Sequence, residues 1–194
     1  MDYVPLGRSG LKISRACLGA MNFGAPAGTP GCDGLQPQYS LLARVIEAEI
    51  LPVCQRHGLG TLTWSPLGGG ILAGRYRPGQ PPGEETRIGR LRASPVAAAR
   101  SWAEGMLTDR NLRIAAETGA VAADLGTSPA SVALAWAVSQ PGVTAVITGP
   151  RTVGQLHDNL EGIGRTLPPE AEARLSDISR PSGAEPVTGL GAHR

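Results

Sequence analysis

Short apolar segments alternate with helix-forming segments along most of the chain, and this alternation constrains the fold more than any other feature. Apolar runs at 16–23, 59–65 and 143–148 predict three parallel strands, and 35–39 predicts the stub of a fourth. Strands that alternate with helices form βα units around a parallel sheet. A closed barrel of eight such units needs about 250 residues, whereas this chain has 194. The sequence therefore predicts an α/β fold, an incomplete (β/α)8 barrel with three to four parallel strands.

Two further segments complete the predicted organisation. Alternating apolar residues on both sides of the glycine-containing turn at 7–10 predict an N-terminal β-hairpin over 3–14. Residues 24–34 consist mainly of glycine, proline and alanine, which predicts a long connector. Residues 179–194 are rich in glycine, alanine and proline, and we expect a disordered tail there. The chain is thus expected to form a single domain over 1–178.

Local signals predict where the helices begin and end. Thr108, Ser128 and Thr152 each have the character of a helix N-cap, and the last begins a capping box with Gln155. Gly58 and Gly126 are expected to end helices. A further helix is predicted over 169–178, and the proline- and arginine-rich stretch 77–95 is expected to be irregular.

The composition excludes several classes of function. Lys plus Arg (18) nearly balance Asp plus Glu (16), which argues against a nucleic-acid partner or a membrane surface. The start of the chain lacks the features of a leader, and no apolar run approaches the roughly 18 residues that span a bilayer; we expect a cytoplasmic protein. The three cysteines are scattered without a CxxC pair, so neither a disulfide framework nor a metal site is expected.

Several segments, taken in order, resemble the aldo-keto reductase family. They are Tyr3–Ser14 with Leu18–Gly24, Gln36–Leu41, Thr63–Tyr76, Ser128–Trp136, Val146–Arg151 and Gln155–Leu160. The resemblance implies that the hairpin closes the barrel end opposite the active site. It also implies that the retained strands are the first, seventh and eighth, with a stub of the sixth. Because the first and eighth strands are neighbours in a closed barrel, the retained strands are expected to be contiguous.

The resemblance also implies a loss. Between Gly24 and Leu35 the family carries strands two to five and most of six, together with its catalytic Asp, Tyr, Lys and His. Here only the connector occupies that place. The single lysine, Lys12, lies in the hairpin, and Tyr39 and Tyr76 match family positions that are not the proton donor. The catalytic residues of this chain are therefore unknown.

The family's NADP(H) site is, by contrast, largely matched. The resemblance implies that Trp64 stacks on the nicotinamide, that Gln36 contacts its amide, and that the loop from Ser65 approaches the pyrophosphate. The segment from Arg151 would hold the 2′-phosphate, with Arg75 as a second cation. The cofactor-binding residues predicted in this way are Gln36, Trp64, Ser65, Pro66, Leu67, Gly68, Gly69, Arg75, Gly149, Arg151, Gln155, Asp158 and Asn159. From the residues alone, a buried tryptophan beside a flexible loop and an ordinary helix cap with solvated charges remain alternatives.

Three functions remain open at this stage. The first is an NADP(H)-binding protein without the catalytic tetrad that performs a non-redox step (cyclisation, dehydration or isomerisation) on a small molecule in a biosynthetic pathway. The second is an NADPH-dependent carbonyl oxidoreductase with an atypical proton donor, and the third is a non-enzymatic NADP-binding or degenerate protein. Because an open half-barrel exposes sheet edges and an apolar face, a homodimer or higher oligomer is expected.

Overall fold

A computed structural model describes residues 3–8, 10, 12–14, 16–18 and 34–181. It begins with an antiparallel pair, β1 (Tyr3–Pro5) and β2 (Lys12–Ser14), in which Val4 lies opposite Ile13. This pair is the hairpin that the alternating pattern predicts. The connector at 24–33 and the tail at 182–194 lie outside the described residues. Ser179, by contrast, is buried, and its hydroxyl accepts a hydrogen bond from Arg44 at 2.9 Å, so the start of the expected tail is packed.

The four remaining strands form one parallel sheet. They are β3 (Ala16–Leu18), β4 (Gly34–Leu35), β5 (Gly60–Thr63) and β6 (Ala145–Thr148), and their order across the sheet is β3-β6-β5-β4. The first strand of the sheet therefore pairs with the last, as the resemblance implies. Two strands are shorter than predicted, since β5 covers 60–63 of the predicted 59–65 and β6 covers 145–148 of the predicted 143–148.

Seven helices surround the sheet in the described part of the chain. They are α1 (Ile50–His57), α2 (Arg87–Arg92), α3 (Ala97–Met106), α4 (Asp109–Asp124), α5 (Pro129–Ser139), α6 (Val153–Gly164) and α7 (Pro169–Ile178). The side chains of Thr108, Ser128 and Thr152 cap α4, α5 and α6 as predicted. Gly58 ends α1 in the left-handed region, with φ 68°.

The expectation of an irregular stretch over 77–95 is wrong for its second half, which contains α2. Thr86 begins this helix because its hydroxyl accepts the backbone N–H of Gly89, and Ile88 anchors the helix because its side chain is fully buried. Helix α3 was not predicted from the sequence. Its N-cap, Val96, makes no side-chain capping bond, so the local signal that marks the other helices is missing.

The core lies on the outer side of the sheet, where α5 is buried all round. Every residue from Ala130 to Val138 is buried, and α5 contacts α4, α6 and β6. No single helix among the described residues is long and apolar enough to cross a membrane; α4 and α5 meet that test only as a pair bent by 101°. The described residues also contain no cluster of three metal-ligating side chains.

Candidate functional site

The predicted site residues collect at the carboxyl edge of the parallel sheet. The segments that follow β4, β5 and β6 all begin there, because the strands run in the same direction. The hairpin lies at the opposite edge: the backbone N–H of Arg8 donates to the carbonyl oxygen of Gly58 at 2.7 Å, just before β5. A Cβ on Gly60 would stand 2.0 Å from the Leu6 side chain. The hairpin thus covers the end of the sheet opposite the predicted site residues.

One face of the sheet presents the predicted nicotinamide contacts. Gln38 and Trp64 form a parallel bridge, which puts their side chains on the same face. The register of β4 and β5 places Gln36 beside Leu62 on that face. Leu62, Trp64 and Ile147 are half-buried and Gln36 is exposed, whereas Thr61, Thr63 and Val146 on the other face are fully buried. Trp64 therefore lies on the less buried face of the sheet.

Gln38 is a site residue that the sequence did not single out. Its side chain is 8% exposed, and its Oε1 has no hydrogen-bond partner. An unpaired buried acceptor is costly. Strand register places Gln38 beside Trp64, with this acceptor enclosed below the surface.

The loop after β5 is held in an unusual backbone conformation. Ser65 has φ 58° and is the one non-glycine residue with positive φ in the described part of the chain; Gly68, Gly69 and Gly70 follow with φ 55°, 68° and 97°. Backbone N–H groups in such left-handed turns form concavities that suit anions. A β-carbon on Gly68 would lie 2.5 Å from the side chain of Leu42, so the turn also needs glycine for space.

Tyr76 ties this loop to α2. Its hydroxyl donates to the carbonyl oxygen of Gly69 at 3.0 Å and accepts the backbone N–H of Ile88 at 3.3 Å. Pro66 is buried and Leu67 packs against the core. These contacts argue against a freely flexible loop.

The start of α6 forms the second half of the candidate site. Thr152 accepts the N–H of Gln155, and the Gln155 side chain accepts the N–H of Arg151 at 2.9 Å, which resembles a reciprocal capping box. Asp158 accepts a hydrogen bond from Ser128 at 2.6 Å and so joins the start of α6 to that of α5. Asn159 is buried, whereas Gly149 is exposed and has open space around it.

Two arginines meet beside this helix start. The guanidinium groups of Arg151 and Arg90 both donate to the carbonyl oxygen of Glu85, at 2.9 and 2.8 Å. Neither forms an ion pair with a carboxylate of the described residues. Two like charges that share one neutral acceptor repel each other, so an anion placed between them is favoured.

The predicted second cation, Arg75, is not part of this pair. It is exposed and lies against Gly70, and no hydrogen bond joins it to the start of α6. Arg90 was missed because it lies in the stretch that was expected to be irregular. The Thr86 cap, four residues before Arg90, is the signal that indicates a helix there.

Three of the residues that could donate a proton by type, Tyr39, Tyr3 and Lys12, lie away from the candidate site. The Tyr39 hydroxyl donates to the Glu47 carboxylate at 2.6 Å, and its ring stacks on Trp136. Burial, followed by that hydrogen bond, raises the pKa of Tyr39 far above its ordinary value. Tyr3 and Lys12 are exposed in the hairpin, at the opposite edge of the sheet. Tyr39 is therefore fixed in the core as a neutral phenol.

Comparison with known proteins gives consistent matches. The model of the aldo/keto reductase family matches residues 27–180. The chain is 35% identical over 150 residues to the Bacillus subtilis protein named uncharacterized oxidoreductase YrpG, covering 77% of this chain and 41% of that protein. It is 35% identical over 129 residues to a probable voltage-gated potassium channel subunit beta of Arabidopsis thaliana, covering 66% of this chain and 37% of that protein. It is 32% identical over 129 residues to the L-glyceraldehyde 3-phosphate reductase of Escherichia coli, covering 66% of this chain and 36% of that protein. The chain thus spans about two fifths of the length of these relatives.

Proposed function

The chain belongs to the aldo/keto reductase family, and on this premise we propose that it is an incomplete-barrel member that keeps the NADP(H)-binding half and performs a non-redox step on a small molecule. The family fold is a (β/α)8 barrel, of which the four parallel strands of this chain correspond to a half. The single observation that carries the proposal is the convergence of Arg151 and Arg90 on one carbonyl oxygen at the carboxyl edge of the sheet.

The residues at this edge fit NADP(H) in three places. The half-buried Trp64 suits the nicotinamide ring, and the exposed Gln36 on the same face suits its amide. The left-handed turn from Ser65, with positive φ at Ser65, Gly68, Gly69 and Gly70, is the kind of backbone that suits a pyrophosphate. The pair of arginines beside the start of α6 suits the 2′-phosphate. When bound, the reduced cofactor supplies a hydride donor.

Among the described residues at this edge, neither tyrosine is placed to donate the proton that a reductase reaction requires. A carbonyl oxygen needs a proton as hydride arrives. Among the described residues, Tyr39 is bonded to Glu47 inside the core and Tyr76 donates to Gly69. The family segments that carry the tetrad correspond to the connector in this chain. We therefore assign a role in which binding and orientation supply the rate, as they do in cyclisation, dehydration or isomerisation.

A rate measurement separates this role from reduction. The purified chain is mixed with NADPH and a panel of aldehydes, ketones and quinones, and cofactor oxidation is followed by absorbance, with an intact family member as the positive control. We expect no oxidation above the background. Oxidation at a rate similar to that of the control would contradict the non-redox role and leave the cofactor site intact.

The names of the relatives favour a second candidate. Two of them are named as an oxidoreductase and a reductase, which supports an NADPH-dependent carbonyl oxidoreductase with an atypical proton donor. The panel measurement above decides between the two candidates. A bell-shaped or sigmoidal pH dependence of any observed rate would then report the pKa of the proton donor.

A further inference from the structure

The positive charge of the chain is concentrated in one stretch, residues 75–100. This stretch contains six arginines and two glutamates, whereas acidic residues outnumber basic ones in the rest of the chain. Four arginines elsewhere in the described residues form ion pairs with carboxylates: Arg44, Arg165, Arg174 and Arg180. No arginine of 75–100 forms an ion pair with a carboxylate of the described residues. The stretch is therefore a concentration of unpaired positive charge.

Four of these arginines lie next to one another around α2, and we call them the arginine surface: Arg77, Arg87, Arg92 and Arg100. The Tyr76 hydroxyl accepts the backbone N–H of Ile88 at 3.3 Å. Because Arg77 follows the first of these residues and Arg87 precedes the second, the two arginines lie beside this contact. Arg92 lies five residues after Arg87 in the same helix, about 7.5 Å along its axis. The Arg100 guanidinium donates to the carbonyl oxygen of Ser94, two residues after Arg92, at 2.8 Å.

The guanidinium groups of the arginine surface lack carboxylate partners among the described residues. All members except Arg100 are exposed, and the side chains of these three make no hydrogen bond or ion pair with another described residue. The two glutamates of the stretch do not pair with them. Glu84 is exposed, and the Glu85 carboxylate lies against the loop, since a Cβ on Gly83 would stand 2.4 Å from both of its oxygens. Three guanidinium groups thus retain all of their N–H donors for another molecule.

An apolar residue stands among these arginines. Val96 is 58% exposed and is the N-cap of α3, four residues before Arg100, so the two lie one helical turn apart. Protein interfaces combine arginine with apolar side chains in this way. A nucleic acid has a long, evenly charged backbone, which would extend beyond α2 over the part of the chain where acidic residues outnumber basic ones. The combination therefore favours a short acidic segment of a protein over a nucleic acid.

We propose that the arginine surface docks an acidic segment of a partner protein. Carboxylates of the partner bind the guanidinium groups, whose forked donors match the two oxygens of a carboxylate, and an apolar side chain of the partner contacts Val96. The surface adjoins the candidate site, because Arg90 in the same helix shares the Glu85 carbonyl oxygen with Arg151. A docked partner therefore lies beside the candidate cofactor site. The proposal does not depend on whether that site holds NADP(H).

A labelled decapeptide of glutamates with one central leucine tests the proposal. Fluorescence anisotropy with the full chain should show saturable binding at about 20 mM salt that weakens severalfold at about 150 mM salt, because exposed charges are screened. Arg87→Ala combined with Arg92→Ala should weaken binding by about 5-fold, the size expected for the loss of two exposed charge pairs. The matched control combines Arg56→Ala with Arg113→Ala, two exposed arginines of α1 and α4 without an ion pair to a described carboxylate, and should leave binding unchanged.

Two further measurements separate this surface from its alternatives. Val96→Ser should weaken the binding of the leucine-containing peptide and leave that of decaglutamate unchanged. Saturating NADPH should leave the peptide bound, because the arginine surface is distinct from Arg90 and Arg151. Peptide binding by a chain that does not bind NADPH would contradict the proposed cofactor site and support the docking surface.

Four results would overturn the proposal. The first is an absence of saturable peptide binding at low salt. The second is an equal loss of binding in the two double variants. The third is an oligothymidylate of the same length that binds as tightly as the peptide, which would indicate a general polyanion site. The fourth is release of the peptide by NADPH, which would assign these arginines to the cofactor.

Discussion

Arg90 and Arg151 donate hydrogen bonds to the same carbonyl oxygen, that of Glu85, although one arginine lies in α2 and the other precedes α6. The contact joins the stretch after β5 to the start of the helix after β6. Both guanidinium groups retain donors that no described residue satisfies. The candidate phosphate site is therefore a junction of two distant segments, and each arginine can be tested separately.

Arg90→Ala is expected to lower the affinity for NADPH by about 10-fold, because one charge-assisted contact to a phosphate is worth about 1.5–3 kcal/mol. The affinity for NADH, which lacks the 2′-phosphate, should change little. Isothermal titration of both cofactors measures the difference. Arg100→Ala is the control, since Arg100 also donates to backbone carbonyl oxygens, those of Ser94 and Pro95. Equal losses for NADPH and NADH would contradict the assignment.

Ser65→Gly is expected to stabilise the fold by about 1 kcal/mol, because the positive φ of Ser65 is strained for any residue with a β-carbon. Ser65→Val should destabilise the fold, since β-branched residues tolerate this region least. Chemical denaturation measures both free energies of unfolding. A Ser65→Gly variant that is less stable than the wild type would mean that the hydroxyl outweighs the backbone strain.

Gly162→Ala is expected to destabilise the fold by about 1–3 kcal/mol, because its β-carbon would press against the backbone of Ser131 in α5. Gly164→Ala is the matched control in the same helix, where nothing lies within 4 Å of the new carbon. The control should be neutral or stabilise the helix by up to about 1 kcal/mol. Thermal unfolding of the two variants measures the contrast. Equal shifts in their melting temperatures would contradict the close approach of α5 and α6.

Tyr39→Phe is expected to change how stability depends on alkaline pH. Burial raises the pKa of Tyr39 in the folded state, whereas the unfolded chain ionises near the ordinary value of about 10. The folded state therefore holds a proton that the unfolded state releases, and stability should fall as the pH rises above about 10.

The measurement is the free energy of unfolding of the wild type and of Tyr39→Phe between about pH 8 and about pH 11. Tyr39→Phe should lose less stability than the wild type over this interval, and the difference between them should narrow as the pH rises. Tyr76→Phe is a useful comparison, because that hydroxyl bonds to a backbone carbonyl and not to a carboxylate. If the free energy of unfolding fell by the same amount with pH in the wild type and in Tyr39→Phe, the raised pKa of Tyr39 would be contradicted.

The sequence predicted those features that depend on neighbouring residues. Thr108, Ser128 and Thr152 cap their helices because a hydroxyl needs only the N–H three residues ahead. The pairing of β3 with β6 followed from the family resemblance, because the first and last strands of a barrel are neighbours.

Contacts between distant segments were not predictable in the same way. The shared bond to Glu85 depends on the fold that brings α2 to α6. Glu47 binds both Arg44 and Tyr39. Arg44 also lies over the ring of Trp136, 5.0 Å from its centre. No local pattern marks a cluster that joins residues 39–47 to Trp136 in α5.

Direct binding of NADPH tests the central claim, that the retained half of the barrel is still a dinucleotide site. Isothermal titration of NADPH into the full chain should give saturable binding with one cofactor per chain, and NADH should bind more weakly. An absence of heat and of saturation up to about 1 mM NADPH, where even a weak site of about −4 kcal/mol is half occupied, would contradict it.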